Sequence, residues 1–190
     1  MSGIVGTGGK SGVIGAGSRE GWILLETQSA SNVSEKTIGS TSTITSTYDD
    51  YMFVGESIRL HTASSLIFQF TTGGSVRTSA YKTVSHGVDS AAVTTNVTSG
   101  SYNFGFVNSG SAINNNAHNV TQFQGYLNSP LSTVHEHIFY GIASYSTNLG
   151  YVRNAQFSTR HDTLAAFSAI KFYAQSGNIT GTFKLYGLSK

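Results

Sequence analysis

His135-Glu136-His137 is the triplet in this 190-residue chain with the most evident capacity for chemistry. Residues two apart on a strand share a face, so the imidazoles of His135 and His137 would stand about 6.5–7 Å apart on one side. Two imidazoles are too few for a structural zinc in one chain, which takes four ligands. Three copies around a three-fold axis would supply six, an octahedral set. The competing expectation is a pair of surface histidines on an exposed strand. His161-Asp162 reads as a turn.

Other spacings exclude more than they offer. Gly9-Lys10-Ser11 has the end of a phosphate loop, but the first glycine of that motif would fall on Ile4. No strand precedes it and no amphipathic helix follows to present an N-terminus to phosphate. A Gly-x-Ser-x-Gly elbow is absent, and 28 serines make no Ser–His–Asp set stand out. Glycoside hydrolysis needs two carboxylates flanking one bond. The chain has nine Asp and Glu, of which Asp49, Asp50 and Glu56 bracket a turn and a strand start. The sequence therefore predicts no catalytic residues and no cofactor. Its ten tyrosines, with many Asn and Ser, have the chemistry of adaptable recognition surfaces, although in an all-β protein most would be half-buried on strands.

The elements that position these groups are strands. Gly, Ser, Thr and Asn make up 84 residues, and charged residues only 11%, against roughly 25% in an average globular protein. Val, Ile, Thr, Phe, Tyr and Trp number 69, against 35 for Ala, Leu, Glu and Lys. That ratio excludes a helical bundle and predicts an all-β chain. A net charge of +2, with its 11 Lys and Arg scattered singly, provides no stripe for nucleic acid. No apolar run approaches the ~20 residues of a membrane span, and no signal-peptide pattern opens the chain. The absence of cysteine leans toward assembly in a reducing cytoplasm.

Residues 1–21 stand apart. Eight are glycine, and Ser2-Gly3-Ile4-Val5-Gly6 returns as Ser11-Gly12-Val13-Ile14-Gly15. Glycine at this density loses too much backbone entropy to hold one conformation alone. Ile4, Val5, Val13 and Ile14 would be superfluous in a solvated linker. They fit an arm that orders when it threads a groove on a partner; a flexible tail is the alternative.

Residues 22–190 read as short strands and turns. Strands are expected at 21–27, 51–60, 65–71, 76–84, 91–97, 101–107, 133–144, 150–158, 164–173 and 181–188. The alternation of Thr41, Thr43, Thr45 and Thr47 predicts a solvated edge strand. Pro130 predicts that 120–131 is an edge or a loop. Leu164–Ala169 is the one place for a short helix. Residues 108–119, carrying Asn114, Asn115, Asn116 and His118, form a long polar loop expected to be exposed. The whole predicts an antiparallel, jelly-roll-like β-sandwich with a Gly-rich N-terminal arm.

Three segments carry a resemblance. Ile58-Arg59-Leu60, Leu66–Ser75 and Ser79-Ala80-Tyr81 resemble a recurrent segment of virion structural proteins of tailed phages, and Ile170–Gly187 is similar to the close of the same proteins. They are common in phages of marine and freshwater bacteria, including cyanophages. Lys10–Gly15 resembles an opening of many phage fibre-like proteins. The resemblance implies a sandwich exposed on a virion, homotrimeric, assembled in the bacterial host cytoplasm, with the N-terminus anchored to capsid or tail proteins. His-x-His pairs bind metal on the axis of some trimeric phage fibres, which is the arrangement weighed for His135 and His137. No catalytic residues come with the family. The expected function is a non-enzymatic capsid decoration or cement protein, or a short fibre. The alternative is a lectin-like tail module that recognises host surface glycans. Neither nucleic acid nor membrane is an expected partner.

Overall fold

The computed structural model describes residues 21–90 and 92–189; Ile4, Val5, Val13 and Ile14 lie outside them. The described residues form thirteen strands in two antiparallel sheets, and no helix. In chain order the strands are β1 (Trp22–Val33), β2 (Glu35–Ile38), β3 (Tyr48–Leu60), β4 (Leu66–Thr72), β5 (Ser75–Val76), β6 (Tyr81–Asp89) and β7 (Ala92–Tyr102). There follow β8 (Gly105–Phe106), β9 (Thr121–Asn128), β10 (His137–Ser146), β11 (Val152–His161), β12 (Ala169–Ala174) and β13 (Ile179–Ser189). The large sheet has the order β1-β13-β3-β9-β10-β11-β6-β7; the small one is β2-β12-β4-β5, with β8 also paired to β4.

Alternation decides which side chains meet between the sheets. Tyr51, Phe53, Phe123, Leu127, Phe139, Ala143, Phe157, Phe183 and Leu185 point inward from the large sheet, opposite Phe68, Phe70, Ile170 and Phe172 of the small one. Nine of the eleven phenylalanines are buried in this core. Phe68 meets Phe139 edge-on across the gap with centroids 4.9 Å apart, a geometry favoured by the ring quadrupoles.

Rings this large need gaps, and glycines provide them. Phe53, Gly125, Gly141 and Phe157 are successive partners across four strands. A Cβ on Gly125 would lie 2.2 Å from the Phe139 ring, and one on Gly55 would lie 2.1 Å from Phe123. Gly125 and Gly55 therefore each hold a neighbour's phenyl ring.

Three buried tyrosines tie loops to the sheets through their hydroxyl groups, each of which both donates and accepts. Tyr51 Oη donates to the Thr45 carbonyl (2.7 Å) and accepts from its N–H (2.8 Å). Tyr145 does the same at Ser109, at 2.7 and 3.0 Å. Tyr81 donates to the Arg77 carbonyl (3.0 Å) and accepts from the Phe70 N–H (2.8 Å). Burial pushes the phenols of Tyr81 and Tyr145 up, so each keeps the proton it donates.

Several sequence expectations differ from the structure. The Ser/Thr run at 39–47 is a series of turns: the Ile44 N–H donates to the Ser40 carbonyl (2.9 Å) and Thr43 Oγ1 accepts from the Ser40 N–H (2.8 Å). Local hydroxyl bonds replace the ladder there, and Ile44 turns into the core. Residues 121–128 form a central strand between β3 and β10, because Pro130 falls beyond its last rung. The expected strand at 76–84 is divided, with Val76 ending β5 and β6 starting at Tyr81. The alternating aromatics of 101–107 straddle a crossing between sheets: Tyr102 ends β7, Phe106 lies in β8, and their rings meet at 5.0 Å. No helix forms at 164–169. There the Phe167 N–H donates to the Pro130 carbonyl (2.7 Å), and its ring stacks on Phe70 at 4.4 Å.

Candidate functional site

The two histidines of the opening triplet do not share a strand face. β10 begins at His137, so His135 belongs to the preceding loop and is exposed, whereas His137 is buried. His137 instead pairs in register with His161, which is the last residue of β11, laddered to Tyr81 on its other side, and not part of a turn as expected. Both rings pack edge-on against Phe167, with centroids 4.6 and 5.1 Å away, and His161 lies 4.7 Å from Tyr81. His137 Nε2 donates to the Ser132 carbonyl at 3.0 Å, and His161 Nδ1 accepts the Thr163 N–H at 3.2 Å. His161 Nε2 is buried without a partner. Burial pushes both imidazoles below their usual range. The arrangement holds two neutral rings inside the end of the sandwich, where they pack as core side chains.

A second polar group lies inside the opposite end. Arg153, 1% exposed, is held bidentately by Asp89 across the β11–β6 pair, and its Nη1 donates to the Ser109 carbonyl at 2.5 Å. Hydrogen bonding to Arg153 holds the Asp89 carboxyl below the usual carboxylate range. The same Ser109 is clamped by Tyr145, and Asn108 Oδ1 accepts the Leu66 N–H at 3.0 Å. These contacts fix the root of the loop at 108–119. Beyond it, Asn114 Oδ1 accepts the Asn116 N–H (2.8 Å) and Asn116 Oδ1 accepts the His118 N–H (3.1 Å). Asn115, Asn116 and His118 are exposed and Asn114 half-buried, so the loop presents polar groups from a braced base.

The sequence reading missed the outer face of the large sheet. The side chains that point away from the core form register rows across the strands. One row runs Tyr186, Met52, Tyr126, Tyr140, Ser158, Val84. The next runs Lys184, Val54, Gln124, Ile142, Gln156, His86. Ile142 is 57% exposed, Val84 49% and Tyr140 43%. Single exposed apolar side chains are ordinary, whereas a contiguous group of them is informative. Trp22 and Tyr126 rings lie 5.8 Å apart, and Tyr126 and Tyr140 rings 5.6 Å. Gln124 Nε2 donates to Tyr126 Oη at 2.5 Å and fixes that ring.

Ser158 is short between Tyr140 and Val84, and a depression of about 600 Å³ opens there, walled by Val84, His86, Tyr126, Tyr140, Ile142 and Gln156. A second, of about 310 Å³, continues past Ile142 toward Val88 and Asn154, and a third, of about 230 Å³, lies toward Val54 and Gln122. Ile142 is thus a ridge with a hollow on either side. Charged residues ring the patch and are paired with each other: Lys184 with Glu56 (2.7 Å), Lys82 with Asp162 (2.8 Å) and Arg160 with Glu136 (2.9 Å). Such a face offers apolar, aromatic and hydrogen-bonding contacts.

Both faces of 138–143 are apolar, which is why the sequence hid this surface. Ile138, Tyr140 and Ile142 alternate with Phe139, Gly141 and Ala143, so the usual polar-out signal is missing. That missing alternation was itself the available signal of a strand covered on both sides.

No protein-family model matches the chain, and no curated protein matches it. Among solved structures, it is similar to the CBM2 module of the evolved Dit of Lactobacillus casei BL23 phage J-1, at 11% identity and a TM-score of 0.26, over 82% of this chain and 69% of that one.

Proposed function

We propose that this chain is a non-enzymatic structural protein of a tailed-phage virion, anchored by residues 1–21 and displaying the β-sandwich as a capsid decoration protein or short fibre. The observation that carries the reading is the apolar and aromatic outer face of the large sheet, ringed by paired charges. A face of that make-up is built for assembly. The segments resembling virion proteins, Leu66–Ser75 and Ile170–Gly187, are β4 with its turn and the β12–β13 region. They therefore supply strands of the small sheet and a central strand of the large one. The glycine-rich segment 1–21 is the proposed point of attachment, with its aliphatic pairs Ile4-Val5 and Val13-Ile14 as the groups that would bury on a partner.

A second reading, recognition of host surface glycans, is favoured by the braced loop at 108–119. Its exposed Asn115, Asn116 and His118 offer hydrogen-bond donors and acceptors with little ordering left to lose on binding.

Deleting residues 1–21 tests the first reading. The shortened chain is expected to remain folded yet to be missing from purified particles, as read by mass spectrometry of the virion. Full incorporation of the shortened chain, or particles lacking the intact protein, would count against it. Binding of the intact protein to host polysaccharide, lost in Asn116→Ala or His118→Ala, would support the second.

A further inference from the structure

We infer that the outer face of the large sheet, centred on Tyr140 and Ile142, is the surface through which copies of this chain pack on one another. The inference deepens the assembly reading above by naming the partner and the residues, and it rests on that reading only for the place where the oligomer is used.

Three observations choose a second copy over other occupants. The first is area. The seven strands from β1 to β6 in sheet order span about 29 Å at ~4.8 Å spacing, and eight residues along them span about 27 Å. That is a face of roughly 800 Å² on each copy with its charged margin included, of the size that a standard stable interface covers per partner. The second is the distribution of charge. The central rows hold Tyr, Met, Ile, Val, Gln, His and one Ser, with no Asp, Glu or Arg; Lys184 closes one row at the margin beside Glu56, and Lys82, Arg160 and Glu136 stand at the margin too. A charge-depleted centre enriched in Tyr, Trp and Met within a charged rim is the anatomy of a protein–protein interface. The rim charges are already satisfied within one chain, so the face makes no demand for a strongly charged partner. The third is relief. Ile142 is a ridge between hollows of about 600 and 230 Å³, so the face carries both the knob and the hole that a symmetric contact needs. In an isologous contact every surface feature meets its complement on an identical partner. Sheets packed face to face sit about 10 Å apart, close enough for Ile142 and Val84 of one copy to enter the hollows of the next.

The face also explains a feature of the strands. β10 and β6 carry Ile138, Ile142, Val84 and Val88 on the side away from the core. Those residues contribute little to the folding of one copy, and left open to water they invite aggregation. Covered by a second copy, they are a second core.

The test is sedimentation equilibrium of the full chain, with an Ile142→Glu, Val84→Glu variant beside it. The wild type is expected at twice 20.1 kDa and the variant at the monomer mass, with at least a 100-fold weaker association constant and an unchanged far-UV spectrum. Asn116→Glu, outside the face, is expected to leave the assembly intact. Because the chain has no cysteine, Ile142→Cys gives a check that does not depend on the charged variant folding. A flexible bismaleimide, long enough to reach from the ridge of one copy to that of its partner, should trap covalent dimers from Ile142→Cys and none from Asn116→Cys. A wild type that stays monomeric at 100 μM overturns the inference, as does an assembly that persists in the double variant while Ile142→Cys fails to crosslink. A monomer whose face instead binds host polysaccharide, with binding lost in Tyr140→Ala, overturns it in favour of a glycan site. Failure of virion incorporation alone touches the proposed function and leaves this interface standing.

Discussion

Single buried polar groups set how this protein responds to acid and to mutation. His137 and His161 are neutral inside the sandwich, with their affinity for protons lowered mainly by burial; Arg77 and His137 add to the effect at His161. The groups facing them are Tyr81 of β6, Arg77 ahead of it, Asp162 after β11, His135 before β10, and the Phe70 and Phe167 rings. The unfolded chain, with ordinary imidazoles near 6.5, binds more protons below that pH than the folded one does. Stability is therefore complete above about pH 6.5 and is lost as pH falls beneath it. Thermal melts should show a lower Tm at pH 5 than at pH 7.5, by roughly 2–4 °C per kcal/mol lost, and His161→Leu should flatten that slope. An identical slope in the variant would remove His161 from the account. At the other end, Asp89→Asn leaves the Arg153 cation buried and unpaired. Loss of one partner of a buried pair costs about 3–5 kcal/mol, to be read as a fall in the urea midpoint at an unchanged m-value. Arg153→Met with Asp89→Asn together should cost less than Asp89→Asn alone.

At the scale of elements, the large sheet depends on phenyl rings resting on glycines. Gly125→Ala places a Cβ against the Phe139 ring and should destabilise by about 1–3 kcal/mol through overpacking. Phe139→Leu in the same chain should return part of that loss, since the offending ring is gone. Additive losses in the double variant would mean that Gly125 is needed for some other reason. Much of this layer was legible in the sequence, because composition and alternation fix strands wherever one face is polar. β3, β11 and β13 were readable from such patterns, with ends misplaced by a few residues, and β4 as an unbroken apolar run. Elsewhere the pattern misled for physical reasons. In 41–47 the hydroxyl groups satisfy their own backbone and turn the chain. At 121–128 the nearby proline sits past the last rung and removes no ladder bond. At 164–169 a helix-like composition is overruled by Phe167 anchoring to Phe70. The paired histidines illustrate a sharper limit: His135 and His137 are two apart in sequence, yet the partner His137 finds is His161, which only strand register reveals. The outer face stayed hidden because a strand apolar on both sides has no period to read.

On the reading proposed above, the whole molecule is a unit that is finished only in company. One side of the large sheet makes the core and the other makes a second apolar surface, while the braced loop at 108–119 stands away from both. On this account copies join through the outer sheet face, the arm attaches them to the particle, and the loop remains outward. The measurement that bears on this most directly is a cryo-EM map of the virion on which the proposed function places the chain. The account predicts density for the sandwich on the particle surface, in clusters whose large sheets face one another at about 10 Å, with the loop at 108–119 pointing to solvent. Particles without density for this sandwich, or copies standing singly with Tyr140 and Ile142 open to water, would contradict it.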